Sequence, residues 1–321
     1  MPRTASDHAA TLVAGLREGN RRALARVLTE VENGSPAGRE ALRQLFSATG
    51  RAHTIGITGA PGSGKSTVTN MLAKAYRAQD KTVAIVAVDP SSPFTQGAIL
   101  GDRVRMQDLS GDPGVFIRSL ASRGALGGLS HATLDVVAVL DASGRDVILI
   151  ETVGAGQDEV EIAGAAQTTV LINTPGAGDD IQAMKAGIME IADVLCVNKA
   201  DHPGVDALVG QLRALLSLGG ERDWQPPIVR TIATQDDGAG ELVDAIAAHH
   251  DHLAGSGALA ARERDRLRRQ VVALARAQLM AGLLRDEGAE SRLPQLLDEV
   301  AARRLDPHSA AAAWIAPRRP A

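Results

Sequence analysis

Along the first fifty residues the apolar positions fall three and four apart. Leu12 and Leu16 come first, then Leu24, Val27, Leu28 and Val31, and, beyond Gly34-Ser35-Pro36, Leu42, Leu45 and Phe46. That is the period of a helix with one buried stripe, so residues 6–48 are expected to be helical. From Thr54 the pattern changes. Short runs, TIGIT (54–58), VAIVAV (83–88), VFI (115–117), VILI (147–150), TVLIN (169–173), VLCVN (194–198) and IVRTI (228–232), alternate with stretches of helical period. Strands apolar on both faces suit a buried parallel sheet, and their alternation with helices predicts right-handed βαβ units in an α/β domain. Past Gly255 to Gly257 the helical period returns. RERDRLRRQVVALARAQLMAGLL carries Val271, Ala275, Leu279 and Leu283 four apart, and a last helix is expected after Asp306-Pro307, ending in AAAAWI. No internal repeat is visible. The reading is a helical extension at 1–50, an α/β domain at 51–255 and a helical arm at 256–321. Pairing with a second copy is one way to bury the apolar stripes that lie outside the sheet.

The first candidate chemistry sits where the first predicted strand ends. Gly59-Ala60-Pro61-Gly62-Ser63-Gly64-Lys65-Ser66 matches G-x-x-x-x-G-K-[ST] in full, and Thr67 follows as a helical run begins. Strand before and helix after is the context that makes this a P-loop rather than a glycine-rich turn that binds nothing. Backbone N–H groups of such a loop wrap phosphate oxygens, and the helix N-terminus adds its positive dipole end. Lys65 is assigned to the β- and γ-phosphates, and the Ser66 hydroxyl to Mg2+.

About 130 residues later, at the end of another apolar run, stands Asn198-Lys199-Ala200-Asp201. This matches the N/T-K-x-D motif that reads guanine. A carboxylate accepts from N1–H and the exocyclic amine, donors that adenine lacks, so a buried Asp201 facing ATP would be left unpaired. Ile232, Ala233 and Thr234 fall where such enzymes place a backbone contact to the guanine oxygen, although Ser-Ala is the more usual sequence there. Glu151-Thr-Val-Gly154, after the VILI run, occupies the place of an Asp-x-x-Gly motif, with a carboxylate one methylene longer. Asp89, ending VAIVAV, and Asp102 are further acids that could face the metal, with an N-cap or turn role as the plainer reading. Lys65, Asp102 and Glu151 are the catalytic candidates. Where Ras carries a water-orienting glutamine this chain has Ala155, with Gln157 the nearest, so slow intrinsic hydrolysis under a partner's control is expected.

Composition narrows the alternatives. Net charge is −4 over 321 residues, giving no global attraction to nucleic acid or anionic lipid, and aromatics at 2% supply no stacking platform. One cysteine, Cys196, permits no intrachain disulfide; inside an apolar run it reads as a buried structural thiol. The N-terminus lacks a signal-peptide pattern and no apolar stretch is long enough to span a membrane, so a cytoplasmic protein is expected. His249-His250-Asp251-His252 could suggest a metal, but adjacent helical side chains point apart, and a solvated helix end is the expectation. The mixed-sign run from Arg262 to Arg269 reads as a solvated or dimer-facing helix. Arg103, Arg105, Arg118 and Arg123 are candidates for transition-state charge stabilisation, with structural or partner-facing roles as the plainer alternative.

Several blocks together resemble the MeaB/ArgK family, the GTPase chaperones of adenosylcobalamin-dependent acyl-CoA mutases. They are the P-loop, Asp89-Pro-Ser-Ser, Gly101-Asp102-Arg103-Val-Arg105-Met106, Arg118 to Gly128, Glu151 to Gln157 and Asn173 to Gln182. The resemblance runs from about residue 10 to the Leu305-Asp-Pro-His tail. It implies a P-loop NTPase domain of the SIMIBI type, a homodimer held by the C-terminal arm, and a GTP-to-GDP cycle that gates cobalamin loading and protects the mutase. It implies that Asp89, Asp102 and Glu151 lie around Mg2+, and that residues 174–185, with Asp179 and Asp180, relay nucleotide state to the mutase. Pro93 to Ala98 and Thr231 to Thr234 depart from the family's usual runs. That leaves the partner open among methylmalonyl-CoA mutase and its isobutyryl and hydroxyisobutyryl relatives. Two other readings are an ATP-using kinase linked to arginine/ornithine transport, which Asp201 opposes, and a metallochaperone GTPase, whose Cys/His metal motifs are missing here.

Overall fold

The computed structural model describes residues 4–89, 107–109, 111–121, 131–152, 158–176, 188–218 and 223–316. The chain divides into two compact units, Met1–Glu263 and Arg264–Ala321.

In the first unit all seven apolar runs form strands of one parallel sheet: β1 His53–Gly59, β2 Val83–Asp89, β3 Val115–Ala121, β4 Val147–Thr152, β5 Thr168–Asn173, β6 Val194–Asn198 and β7 Ile228–Thr231. Their order is β3-β2-β4-β1-β5-β6-β7, so the chain runs from β1 out to β2 and β3, returns to insert β4 between β1 and β2, and then winds the other way through β5, β6 and β7. In β2 and β4 alternate residues enter opposite cores. Ala84, Val86, Ile148 and Ile150 face one helical layer, while Val83, Ile85, Val147 and Leu149 face the other. This two-sided burial is why the strands read as unbroken apolar runs.

The first layer holds three N-terminal helices, α1 Ala5–Arg17, α2 Arg21–Glu32 and α3 Pro36–Leu45. Thr4, Asn20 and Ser35 cap their N-termini through side-chain oxygens, and Pro36 opens α3. Their stripes, among them Leu12, Leu16, Leu24, Val27 and Leu28, share one core with β2, β4 and the helix His131–Ala142 (α5). The N-terminal helices are thus one layer of the sheet domain's own core. Asp141 of α5 accepts the backbone N–H groups of Gly50, Arg51 and Ala52 and so fixes the approach to β1. Arg118, one of the arginines considered for catalysis, instead donates from β3 to Thr29 and Glu32 of α2, a structural role.

The opposite layer holds α4, Lys65–Ala78, and a long helix, Ala239–Ser256. Here one sequence expectation is corrected. His249 is not at a solvated helix end; it is fully buried. Its Nδ1 meets the Thr168 hydroxyl at 2.9 Å, and the same hydroxyl meets His53 Nε2 at 2.9 Å. Burial, with the nearby His250 and His249 rings, pulls His53 down to about 3, so it is neutral near pH 7. Asp193, just before β6, accepts from Thr169 N–H at 2.9 Å and from Arg262 at 3.1 Å. His249 Nε2 lies 3.1 Å from the same carboxylate, within ion-pair reach but too oblique for a well-formed hydrogen bond. Long-range partners, Thr168 on β5 and Asp193 just before β6, invisible in a local pattern, make this histidine internal.

Burial pushes the Asp193 carboxyl up, but the contacts with His249 and Arg262 outweigh it and hold the group below the usual carboxylate range. A depressed folded-state pKa contributes stability that is present above the unfolded value, about 3.9, and lost as pH falls through the folded value. An Asp193→Asn variant is expected to lose about 2–3 kcal/mol near pH 7. The gap to wild type should close as pH drops below about 4. Urea unfolding at several pH values measures both, and a gap independent of pH would refute the assignment.

The second unit comprises the later part of the helix Ala258–Arg285, then Glu287–Ala301 and Pro307–Ile315, the last capped by Asp306. Arg292 donates to the carbonyls of Trp314 and Ala316, tying the last two helices together. Val271, Leu279, Leu284, Leu297 and Ile315 are exposed in this unit. No helix among the described residues is long and apolar enough to cross a membrane.

Candidate nucleotide site

In a sheet wound both ways from its centre, ligands bind at the carboxyl ends of the strands, near the point where the winding reverses. The described residues among those singled out from the sequence for this site lie at that edge. Gly59 ends β1, the loop from Ala60 to Gly64 follows, and Lys65, Ser66 and Thr67 form the first turn of α4. Gly59 has φ 144°, and a Cβ there would lie 2.4 Å from the Ile172 carbonyl oxygen of β5. Lys65 is buried, its ammonium donating back to the carbonyls of Gly59 at 2.6 Å and Ala60 at 3.1 Å.

Glu151 lies on β4 between β1 and β2, in register with Ile57 and Ala87, and is wholly buried. Ser66 Oγ donates to its Oε1 at 3.0 Å, and Thr69 Oγ1 donates to its Oε2. The sequence reading did not single out Thr69. Its signal is the Ser66-x-x-Thr69 spacing, which puts two hydroxyls on one helix face. Asp89 ends β2 at the same edge of the sheet. Its side chain lies outside the described residues, as do Asp102, Arg103, Arg105, Arg123, Ala155, Gln157, Asp179 and Asp180.

On the other side of β1, Asn198 ends β6 and is buried. Its Nδ2 donates to the Ser63 carbonyl at 3.0 Å, while Oδ1 accepts from Ala233 N–H at 3.2 Å and Thr231 Oγ1 at 3.3 Å. One amide therefore joins the P-loop to β7 and the turn after it. Lys199, at φ 58°, donates from Nζ to the Gly62 carbonyl at 3.0 Å. Cys196, buried as expected, lies 3.3 Å from Thr231 Oγ1. Burial, only partly offset by Thr231, pushes the thiol up to about 12. It therefore stays protonated and can donate to Thr231, whose own proton goes to Asn198.

Asp201 is exposed, not buried as the discrimination argument assumed. It stands in a turn past β6, pinned by Ala200 N–H on the Thr231 carbonyl at 3.0 Å. Ile232 precedes a single helical turn, Ala233–Gln235, that contains Thr234. In that turn Ala233 N–H is engaged by Asn198.

A parallel sheet with a P-loop between strand and helix, a buried carboxylate against the loop's serine, and an N-K-x-D turn tied to the same loop define a P-loop GTPase. The chain belongs to the family described as methylmalonyl Co-A mutase-associated GTPase MeaB, which it matches over residues 24–287. It is 46% identical over 306 residues to a putative GTPase of Pyrococcus horikoshii, covering 94% of this chain and 95% of that one. It is 37% identical to the GTPase ArgK of Escherichia coli over 76% of each. It is 30% identical to the mitochondrial methylmalonic aciduria type A homolog of Caenorhabditis elegans, over 95% of this chain and 81% of that one. Among solved structures, one described as an LAO/AO transport system kinase superposes with a TM-score of 0.71 at 25% identity, covering 95% of this chain and 96% of that one.

Proposed function

We propose that the chain binds Mg2+ and GTP at this edge of the sheet, hydrolyses GTP slowly alone, and serves as the nucleotide-gated chaperone of an adenosylcobalamin-dependent acyl-CoA mutase. The observation that carries the nucleotide reading is the junction of the P-loop with Glu151 on one side and the Asn198 turn on the other. The Ser63 hydroxyl, buried in the loop without a hydrogen-bond partner, and the all-oxygen set of Ser66 and Glu151 fit a phosphate chain with a hard cation. Mg2+ bound by Ser66, with Asp89, Asp102 and Glu151 around it, would neutralise charge on the phosphates.

The chain's own groups do the rest. Backbone N–H groups of the run from Gly59 to Thr67, in which Pro61 has none to give and Ser63 N–H is held by the Ala60 carbonyl, cradle the phosphates, and Lys65 exchanges its two carbonyl contacts for β- and γ-oxygens. Asp201 takes the guanine donors, and a bound base covers it. The chaperone reading rests on the family and on the relative named for methylmalonic aciduria. The exposed Val271, Leu279 and Leu297 support a homodimer through the helical arm, with Ile315 at its end.

The test is steady-state hydrolysis of GTP, with ATP as control, alone and with methylmalonyl-CoA mutase. The expected result is a slow rate, selective for GTP, that the mutase raises about tenfold or more. A turnover of several per second alone would remove the need for a partner. Indifference to the mutase would remove the chaperone role, and equal use of ATP would restore the kinase.

A further inference from the structure

We infer that Thr69 is a positioning residue for the metal side of this site, an inference that rests on the Mg2+–GTP reading above. Its hydroxyl anchors one oxygen of Glu151 so that the other is aimed at Ser66.

The argument starts from burial. Glu151 is fully inaccessible on a central strand, and a carboxylate there must be met by donors. Two come from one face of α4: Ser66 to Oε1 at 3.0 Å, and Thr69, three residues on, to Oε2. Thr69 is itself fully buried, so no water competes for its proton.

That proton has two acceptors in reach, because Thr69 Oγ1 also lies 2.9 Å from the Lys65 carbonyl. A threonine inside a helix ordinarily back-bonds to the carbonyl four residues earlier. Here a charged acceptor competes with a neutral one, and hydrogen bonds to an ionised group are roughly twice as strong. Were the proton on the Lys65 carbonyl, the Thr69 oxygen would face a carboxylate oxygen with no hydrogen between them. The proton therefore belongs to Glu151, and the Lys65 contact is secondary.

The consequence is orientation. With Oε2 held against the helix, the carboxylate plane is set and Oε1 is turned to Ser66. Ser66 spends its only proton on Oε1, so its lone pairs are left for a cation. The fork also accounts for the longer acid. A carboxylate that must meet donors at both Ser66 and Thr69 reaches further along the helix than an aspartate on β4 would. Thr69 thus tunes the metal site without touching the metal or the nucleotide.

Thr69→Val keeps the shape and removes the proton, and Thr69→Ser keeps the proton. Thr69→Ala, read alongside, removes the proton in case the second methyl of valine disturbs packing. The measurement is binding of a fluorescent GTP analogue in EDTA and across a MgCl2 titration, with thermal unfolding to verify folding. The Val and Ala variants are expected to need about tenfold more Mg2+ for half-maximal tightening, while affinity in EDTA stays within about twofold of wild type. The Ser variant is expected to behave as wild type. An unchanged Mg2+ requirement in Val and Ala overturns the inference, as does an equal loss with and without Mg2+, which would mark a purely structural residue. If binding by the wild type ignores Mg2+, the metal reading fails first and this inference fails with it.

Discussion

Asp201→Asn is expected to weaken GTP binding by a factor of about 10²–10³ and to create affinity for XTP. Guanine presents two donors, N1–H and the exocyclic amine, and a carboxylate accepts both. An amide accepts only one and turns its own NH2 against the other, so two like groups meet. Xanthine keeps N1–H but carries a carbonyl in place of the amine, and the asparagine amide then pairs at both positions. Each hydrogen bond to a charged group contributes about 1.5–3 kcal/mol, which sets the size of the loss. The fold should not notice the change, because Asp201 is exposed and its turn is held by backbone and by neighbours. Ala200 N–H bonds the Thr231 carbonyl and Lys199 bonds the Gly62 carbonyl. Stability within about 0.5 kcal/mol of wild type is expected. Competition of GTP, XTP and ATP against a fluorescent analogue reads the outcome. Unchanged GTP affinity would show that the base is read elsewhere.

Much of this site is local, which is why it was legible before the fold was known. A strand buried on both faces writes an unbroken apolar run, and the P-loop and N-K-x-D motifs each sit within a few residues of such a run. What was not legible depends on pairs far apart in sequence. Nothing near His249 reveals Thr168 and Asp193, which turn an expected solvated helix end into a buried network. Thr69 looks like any helical threonine until β4 brings Glu151 against it. The N-terminal helices were readable as amphipathic but not as the layer that covers β2 and β4. The exposure of Asp201 follows from the geometry of the turn rather than from residue type. Except for Asp201, the missing information was a partner far away in sequence.

Asn198→Ala should be the most damaging single change on the base side of the site, and its signature differs from that of Asp201→Asn. Asn198 supplies three contacts from a buried position: a donor to the Ser63 carbonyl, and an acceptor for Ala233 N–H and for the Thr231 hydroxyl. The packing is tight enough that a Cβ on Gly64, at φ 93°, would lie 2.4 Å from Asn198 Nδ2. Truncation to alanine leaves the Ser63 carbonyl and the Ala233 amide without this partner, at about 1–3 kcal/mol for each buried group left unsatisfied. A loss of roughly 2–4 kcal/mol in folding stability is expected from urea unfolding. Nucleotide binding should fall as well, because the P-loop and the base turn lose their common tie. The loss should be similar for GTP and GDP, since Asp201, the carboxylate assigned to the guanine donors, is unchanged. Thr231→Val removes the longest of the three contacts, at 3.3 Å, together with the Cys196 thiol's contact to the same hydroxyl, and should cost about 1–2 kcal/mol. An Asn198→Ala protein as stable as wild type would mean that the two loops hold their places independently. Weakened GTP binding with intact binding of inorganic triphosphate would instead mean that Asn198 itself reads the base. The expected result, a stability loss with an undiscriminating loss of affinity, would make Asn198 the link through which phosphate and base are bound as one ligand.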